Sequence, residues 1–486
     1  MPEKEWVLRS ATDMAAALRA RQISAVELLD LHLRRIDRFN PSLNAIVVQD
    51  REGARRHAVA ADEALARGEI RGPLHGVPIT VKEAFDVAGL PTSWGDPGLR
   101  SNIAARTARS VQSLLSAGAV LIGKTNVPYL LSDWQTFNAI HGVTRNPWDQ
   151  GRTPGGSSGG AAAALAAGMS ALELGSDIGA SIRNPAHYCG VFGHKPSFGI
   201  VPQAGHGIPV ARTPLDVLVC GPLARSAEDL ALAMDLLVSP EPQDATGWQV
   251  CLPRPSQTRL SDYRVGMLLN SPVCAVDDAV IACLESAITA IASAGARVDR
   301  AARLDWDLAA FHDTYLRVLR GASGALLPEA DYRALEQEAA ALGPEDGSYR
   351  ARVARAATQS HRAWFQASEE RLRIRDAFAR LFETVDVLLC PVAASAAFPH
   401  DQDRPRWART VTINGRQENY NDQLFWAGIA SLPNLPATVV PAGRTPGGLP
   451  VGLQIIGPYL HDHRTIAFGR HVSEVIGGFT PPPGYA

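Results

Sequence analysis

Gly155-Gly156-Ser157-Ser158-Gly159-Gly160, then an Ala-rich run, then Gly175-Ser176-Asp177-Ile178-Gly179-Ala180-Ser181-Ile182-Arg183-Asn184-Pro185, decide how the rest of the chain is read. Ser157 and Ser181 stand 24 residues apart, each preceded by residues with little or no side chain. Small flanks let a backbone approach a ligand closely and turn its N–H groups toward it. A hydroxyl beside such groups supplies what acyl transfer needs, a nucleophile and a place for an oxyanion. Between the two serines, 158–167 reads as a helix whose N-terminal dipole end faces the site and favours a developing anion. Leu172 and Leu174 lie on a short strand that feeds the 177–181 loop.

A serine hydroxyl needs a base within hydrogen-bond reach. Only four lysines, Lys4, Lys82, Lys124 and Lys195, occur among 47 basic residues, so arginine does the ordinary surface work. Lysine can lose its proton when buried; arginine cannot. Lys82 follows Gly76-Val77-Pro78-Ile79-Thr80-Val81, a turn signal and a β-branched run that read as a buried strand. An isolated lysine there would ordinarily snorkel to the surface. Beside two loop serines it is instead a candidate base.

These residues resemble the amidase signature family of hydrolases. The likeness extends to Gly123-Lys124-Thr125-Asn126, Thr144-Arg145-Asn146-Pro147-Trp148-Asp149, Lys195-Pro196, Pro433-Asn434-Leu435-Pro436-Ala437 and Gly448-Leu449-Pro450-Val451-Gly452-Leu453-Gln454. It is weakest over about 230–380. The resemblance implies Ser181 as nucleophile, Ser157 as proton relay with a cis bond to Gly156, and neutral Lys82 as general base. It also implies an oxyanion hole of backbone N–H groups at Ile178, Gly179, Ala180 and Ser181. Asp177 and Arg183 would hold the loop, with Gly156 and Ser158 in support. Ala180 stands where the family has glycine, Tyr129 where many members have an acid, and Ser176 and Ser197 where threonine is usual. These departures leave nucleophile, relay and base in place and bear on substrate choice.

The expected fold is α/β: a single domain, 1–486, with a large central mixed β-sheet covered by helices on both sides. Alternating strands and helices call for it. It would comprise an N-terminal helical segment at 10–40, a signature core at about 70–225 and a largely helical region at about 230–380. Ser24 and Glu27 form a capping box, and Asn40-Pro41 is expected to end that helix. Asn414-Gly415 marks a hairpin turn. A net charge of −2 gives no electrostatic case for nucleic acid or an anionic membrane. The start reads as no signal peptide, and the run 161–172 is too short to span a bilayer. Six cysteines without a C-x-x-C pair read as reduced core residues, which favours a cytoplasmic protein. No metal motif and no cofactor motif is seen; His461-Asp462-His463 reads as a surface loop entering a helix, and His75, His187 and His194 as core residues.

Two rival enzyme readings explain less. Gly155-Gly156-Ser157-Ser158-Gly159 satisfies the G-x-S-x-G elbow, but that reading leaves Lys82 and 175–185 without a role. A phosphate loop lacks its Gly-Lys-Ser/Thr. Outside simple hydrolases, the resemblance admits an amidotransferase-type glutaminase subunit or a catalytically inactive member. The expected partners are a small-molecule amide and water, with a homodimer left open. Tyr129, Trp134 and Phe137, with loops 205–210 and 420–425, are the candidate pocket. With no basic cluster in sequence, the expected substrate is a neutral, fairly hydrophobic amide, aryl amides first, with carbamates or esters as further substrates (a urethanase activity).

Overall fold

Strands whose every residue is buried set the architecture. A computed structural model describes residues 6–208 and 213–486. In chain order the strands are β1 (Ile46–Gln49), β2 (Pro78–Lys82), β3 (Val120–Thr125), the short β4 (Phe137–Asn138) and β5 (Gly142–Val143), β6 (Glu173–Asp177), β7 (Phe192–Lys195) and β8 (Val219–Ala224). There follow β9 (Arg264–Met267), β10 (Arg297–Asp299), β11 (Val387–Pro391), the paired β12 (Thr410–Ile413) and β13 (Arg416–Asn419), β14 (Ala437–Arg444) and β15 (Pro450–Ile456). Eleven of them form one sheet in the order β1-β3-β2-β6-β8-β7-β14-β15-β11-β9-β10. It is mixed: β3, β2 and β6 run parallel, the neighbours from β6 through β8, β7, β14 and β15 to β11 are antiparallel, and β11, β9 and β10 are parallel again. No residue of β2, β6, β8 or β15 is exposed, as a sheet covered on both faces requires. This is the expected single-domain α/β fold.

The Ala-rich stretch is the helix Gly159–Ala166, buried along its whole length. Its composition follows from proximity: a Cβ at Gly160 would lie 2.4 Å from the Asn126 nitrogen and 2.7 Å from the Ala45 oxygen. The Ser24–Glu27 capping box is present, with Glu27 accepting from the Ser24 N–H at 2.9 Å. Asn40-Pro41 does not end that helix, which runs Ala25–Leu43. Pro41 forgoes one helical hydrogen bond without stopping the helix, and the end is made instead by Asn44 in a left-handed conformation, with the Asn40 carboxamide accepting from the Ala45 and Ile46 N–H groups. Asn414 and Gly415 both take positive φ in the two-residue β12–β13 turn, as the Asn-Gly pair predicts.

The region of weakest resemblance holds the helix Asp278–Ser293 and, after it, Leu308–Gly324, Glu329–Ala341, Tyr349–Ala357 and His361–Thr384. Among the described residues no helix is long and apolar enough to cross a membrane. All six cysteines are free; Cys189, Cys220, Cys274 and Cys390 are buried, but Cys251 is exposed and so is no core residue. Lys4 and positions 209 and 210 of the expected pocket loop lie outside the described residues.

Candidate active site

Lys82 is the last residue of β2, fully buried, and lies beside β6 because Thr80 and Val81 pair with Glu173 and Leu174. Its Nζ lies 2.7 Å from Ser157 Oγ, 3.0 Å from Ser176 Oγ and 3.3 Å from the Ser176 carbonyl oxygen. Burial holds the amine at about 7, far below its ordinary 10.5, although Asp177 and Glu173 pull it upward. The sequence reading missed Ser176 as a holder of this amine; its position one residue before Asp177 on β6 is the only local signal.

The loop after β6 carries Ser181, which is 5% exposed and lines a cavity. Asp177 organises the loop. Its carboxylate accepts from the Ala180 N–H at 2.9 Å, the Ile182 N–H at 3.1 Å and the Arg183 N–H at 3.3 Å. It also pairs with the Arg183 guanidinium at 2.9 and 3.0 Å, both side chains fully buried. Burial alone would raise the Asp177 carboxyl; Arg183 outweighs it and holds the group below its usual range. Arg183 in turn donates to the Ala427 carbonyl, Gln454 Oε1 and Ser431 Oγ, which ties the loop to the far half of the sheet.

Two side chains fix the loop's peptide planes. Tyr315 OH donates to the Ile178 carbonyl at 3.1 Å and Trp134 Nε1 to the Gly179 carbonyl at 2.6 Å. Because C=O and N–H of a trans peptide point opposite ways, the Gly179 N–H is turned away from Tyr315 and the Ala180 N–H away from Trp134, toward Asp177. The Ala180 N–H, one of the expected oxyanion donors, is therefore engaged. The N–H groups of Ile178, Gly179 and Ser181 have no acceptor among the described residues. Orphaned N–H groups in a buried loop are rare and await an acceptor. Ala180 sits at φ 69°, the left-handed region that its Cβ disfavours.

The Gly156–Ser157 peptide is cis. A Cβ on Gly156 would lie 2.4 Å from the Asp133 oxygen, and its N–H donates to Asn184 Oδ1 at 3.2 Å. Ser158 immediately precedes the helix Gly159–Ala166, and its N–H donates to the Ser181 carbonyl at 3.0 Å, joining the two serine loops. Behind Lys82, burial raises the Glu173 carboxyl to about 8, and Glu173 Oε1 accepts from Thr80 Oγ1 at 2.6 Å. Lys124 donates to the Pro91 carbonyl and, at 2.9 Å, to Thr92 Oγ1, a bracing role rather than a reacting one.

The cavity at Ser181 measures about 360 Å³. Trp94, Tyr129, Trp134, Ile178, Leu319 and Leu424 give it an apolar wall. Two expected pocket residues are elsewhere. Phe137 pairs with Val143 in the β4–β5 hairpin and lies under the Arg409 guanidinium. Phe425 is fully buried against Trp426 and Phe311. No basic cluster is visible in sequence, but Arg320, Arg350 and Arg406 line this cavity, brought together from positions up to 86 residues apart. His463 pairs with Asp235, and His187 and His194 are hydrogen-bonded in the core. No group of His, Cys, Asp and Glu among the described residues could hold a metal ion.

Comparison with known proteins places the chain in a family. The Amidase family model matches residues 27–466. The chain is 35% identical to an indoleacetamide hydrolase of Bradyrhizobium diazoefficiens, over 95% of this chain and 85% of that protein. It is 34% identical to an acylamidase of Rhodococcus erythropolis, over 95% and 94%. It is 33% identical to one of the subunits of a glutamyl-tRNA(Gln) amidotransferase of Acidothermus cellulolyticus, over 96% and 94%. Among solved structures, a bacterial aryl acylamidase of the amidase signature family superposes with a TM-score of 0.81 at 27% identity, covering 98% of this chain and 97% of the other. The chain belongs to the amidase signature family and is an amide-hydrolysing enzyme.

Proposed function

We propose that the enzyme cleaves the C–N bond of an amide with an apolar, aryl-bearing body through an acyl-enzyme on Ser181, with Ser157 as relay and Lys82 as general base. The observation that carries this reading is the buried 2.7 Å contact between Lys82 Nζ and Ser157 Oγ. A neutral amine has two hydrogens and one lone pair. The Ser176 carbonyl can only accept, and Ser176 Oγ can accept the second hydrogen, which leaves the lone pair for the Ser157 hydroxyl. Burial keeps a useful fraction of the amine neutral near pH 7.

Ser157, giving its proton to Lys82, takes the proton of Ser181, whose Oγ attacks the amide carbon. The oxyanion is received by the free N–H groups of Ile178, Gly179 and Ser181; one such donor is commonly worth about 2.7–4 kcal/mol of barrier. The proton returns through Ser157 to the departing amine. Water then repeats the sequence and releases the acid. Esters and carbamates present the same carbonyl to the same nucleophile and are expected side substrates. Labelling with a serine-directed fluorophosphonate, followed by peptide mapping, should place the label on Ser181. Label on Ser157 would move the nucleophile, and no label on folded protein would sink the mechanism.

A glutaminase role within an amidotransferase is the second reading, favoured by the amidotransferase relatives. The lining speaks against it. Glutamine brings an ammonium, and Asp133, the sole lining carboxylate among the described residues, is committed to Arg409 and to Tyr420 OH at 2.7 Å.

A further inference from the structure

Two kinds of chemistry line the cavity. Ser181, Ile178 and Gly179 bring the serine loop to it; Arg320, Arg350, Arg406 and Tyr349 bring a basic group. Arg350 is neutralised by Glu338, at 2.6 and 2.5 Å, and stacks over Trp407. The other two guanidiniums make no direct ion pair among the described residues, although Asp133 acts on Arg406 from further away. Arg320 donates to Tyr349 OH, and its Nε is buried with no hydrogen-bond partner. Arg406 donates to Asn421 Oδ1 at 2.9 Å and to the Ser132 carbonyl, both uncharged. Neither has a carboxylate within ion-pairing distance among the described residues. Three arginines thus face a cavity with one carboxylate, and that carboxylate is held by Arg409.

Guanidiniums that line a cavity without a carboxylate partner call for an anion, and a guanidinium fork suits a carboxylate better than any neutral oxygen. We propose that Arg320 and Arg406 form a carboxylate subsite in this cavity, and that the amide cleaved at Ser181 carries an anionic group apart from its scissile bond. The helix Leu308–Gly324 sets the spacing. Tyr315 touches the oxyanion loop, and Arg320 follows five residues later, about 7.5 Å further along the axis. A substrate therefore needs a short apolar spacer between its amide carbonyl and its acid, which Trp94 and Leu319 would cover. The inference rests on the proposed reading of Ser181 for the direction in which the substrate lies, but its binding arm does not require turnover.

The probes are the mono-4-nitroanilides of succinic, glutaric and adipic acid and their methyl esters. Binding is measured by calorimetry to the Ser181→Ala protein, in which neither acid nor ester is consumed. The free acids are expected to bind roughly tenfold or more tightly than their esters, with one chain length preferred. The preference should shrink toward unity in Ser181→Ala proteins that also carry Arg320→Gln or Arg406→Gln, and should weaken with salt. Acid and ester binding alike, no binding of the acids, or a preference untouched by both arginine substitutions would overturn the subsite. Release of 4-nitroaniline by the unsubstituted enzyme is a separate readout. Its absence alongside a clear acid preference would overturn the catalytic reading and leave the subsite standing.

Discussion

Two regions of the chain build one active site by opposite means. The loops at 155–160 and 175–185 approach one another so closely that several positions exclude any side chain, and apart from the N–H groups of Ile178, Gly179 and Ser181 their polar atoms are largely engaged. The helices between 308 and 357 approach from outside, meet the first region through Tyr315, and bring Arg320 to the cavity without a carboxylate partner. On the proposed reading the first region is the reaction centre and the second lines the cavity in front of it. The difference teaches that, on this reading, reaction class and substrate choice are stored in different kinds of sequence.

The sharpest way to break this division is at Lys82. Lys82→Ala should lower kcat/KM by at least about 10³-fold, as losing a member of a catalytic triad does. It should still fold, because the lost amine was itself unfavourably buried. With Lys82 as the proposed base, the neutral amine is the active form and protonation removes activity. The rate should fall on the acid side with a midpoint near 7 and then tenfold per pH unit. A flat profile from pH 8 to 5, or a near-normal rate in Lys82→Ala, would contradict a lysine base.

The next test asks whether the loop is held by charge. Asp177→Asn leaves Arg183 buried without its counter-ion and weakens the bonds to three backbone N–H groups. Breaking a buried pair in this way typically costs about 3–5 kcal/mol. Urea unfolding should show a loss of that order; one below about 1 kcal/mol would mean that the loop is shaped by packing alone.

Why one region was legible and the other was not follows from these contacts. Gly156 and Gly160 are glycines because a Cβ would collide with backbone oxygens or nitrogens at 2.4 Å, so the close approach is written locally and can be read from spacing. Lys82 was readable because a lysine at the end of an apolar strand is out of place unless it has a task. The cysteines and the end of the first long helix were misjudged where a local rule met tertiary context. Cys251 is exposed although its run is apolar, and Pro41 is tolerated because Asn44 and Asn40 complete the cap. Arg320 and Arg406 meet only in space, and nothing in the neighbourhood of either predicts the other. The same holds for Tyr315, whose bond to the Ile178 carbonyl joins residues 137 positions apart.

Tyr315 is where the two regions touch, and Tyr315→Phe sharpens the comparison. It removes one hydrogen bond while keeping the ring, so the peptide plane that aims the Gly179 N–H loses one restraint. A net hydrogen bond is worth about 0.5–1.5 kcal/mol. The expected result is a fall of about two- to tenfold in kcat with KM nearly unchanged, since the restraint matters most once the oxyanion has formed. A change in KM alone would assign Tyr315 to the substrate wall.

Ala180→Gly should have the smallest effect, because three terms nearly cancel. Relief of the left-handed conformation at φ 69° is worth about 1–2 kcal/mol. Against it stand about 0.4–1 kcal/mol of extra chain entropy in the unfolded state and about 0.8 kcal/mol for the buried methyl lost. Stability should therefore stay within about 1 kcal/mol of the parent protein. Activity should change little as well, because the N–H at 180 is directed to Asp177 rather than to the substrate. A large gain in rate would show instead that the methyl group narrows the acyl site. In that event substrate choice would be written partly inside the reaction centre, and the division between the two regions would be less complete than their contacts imply.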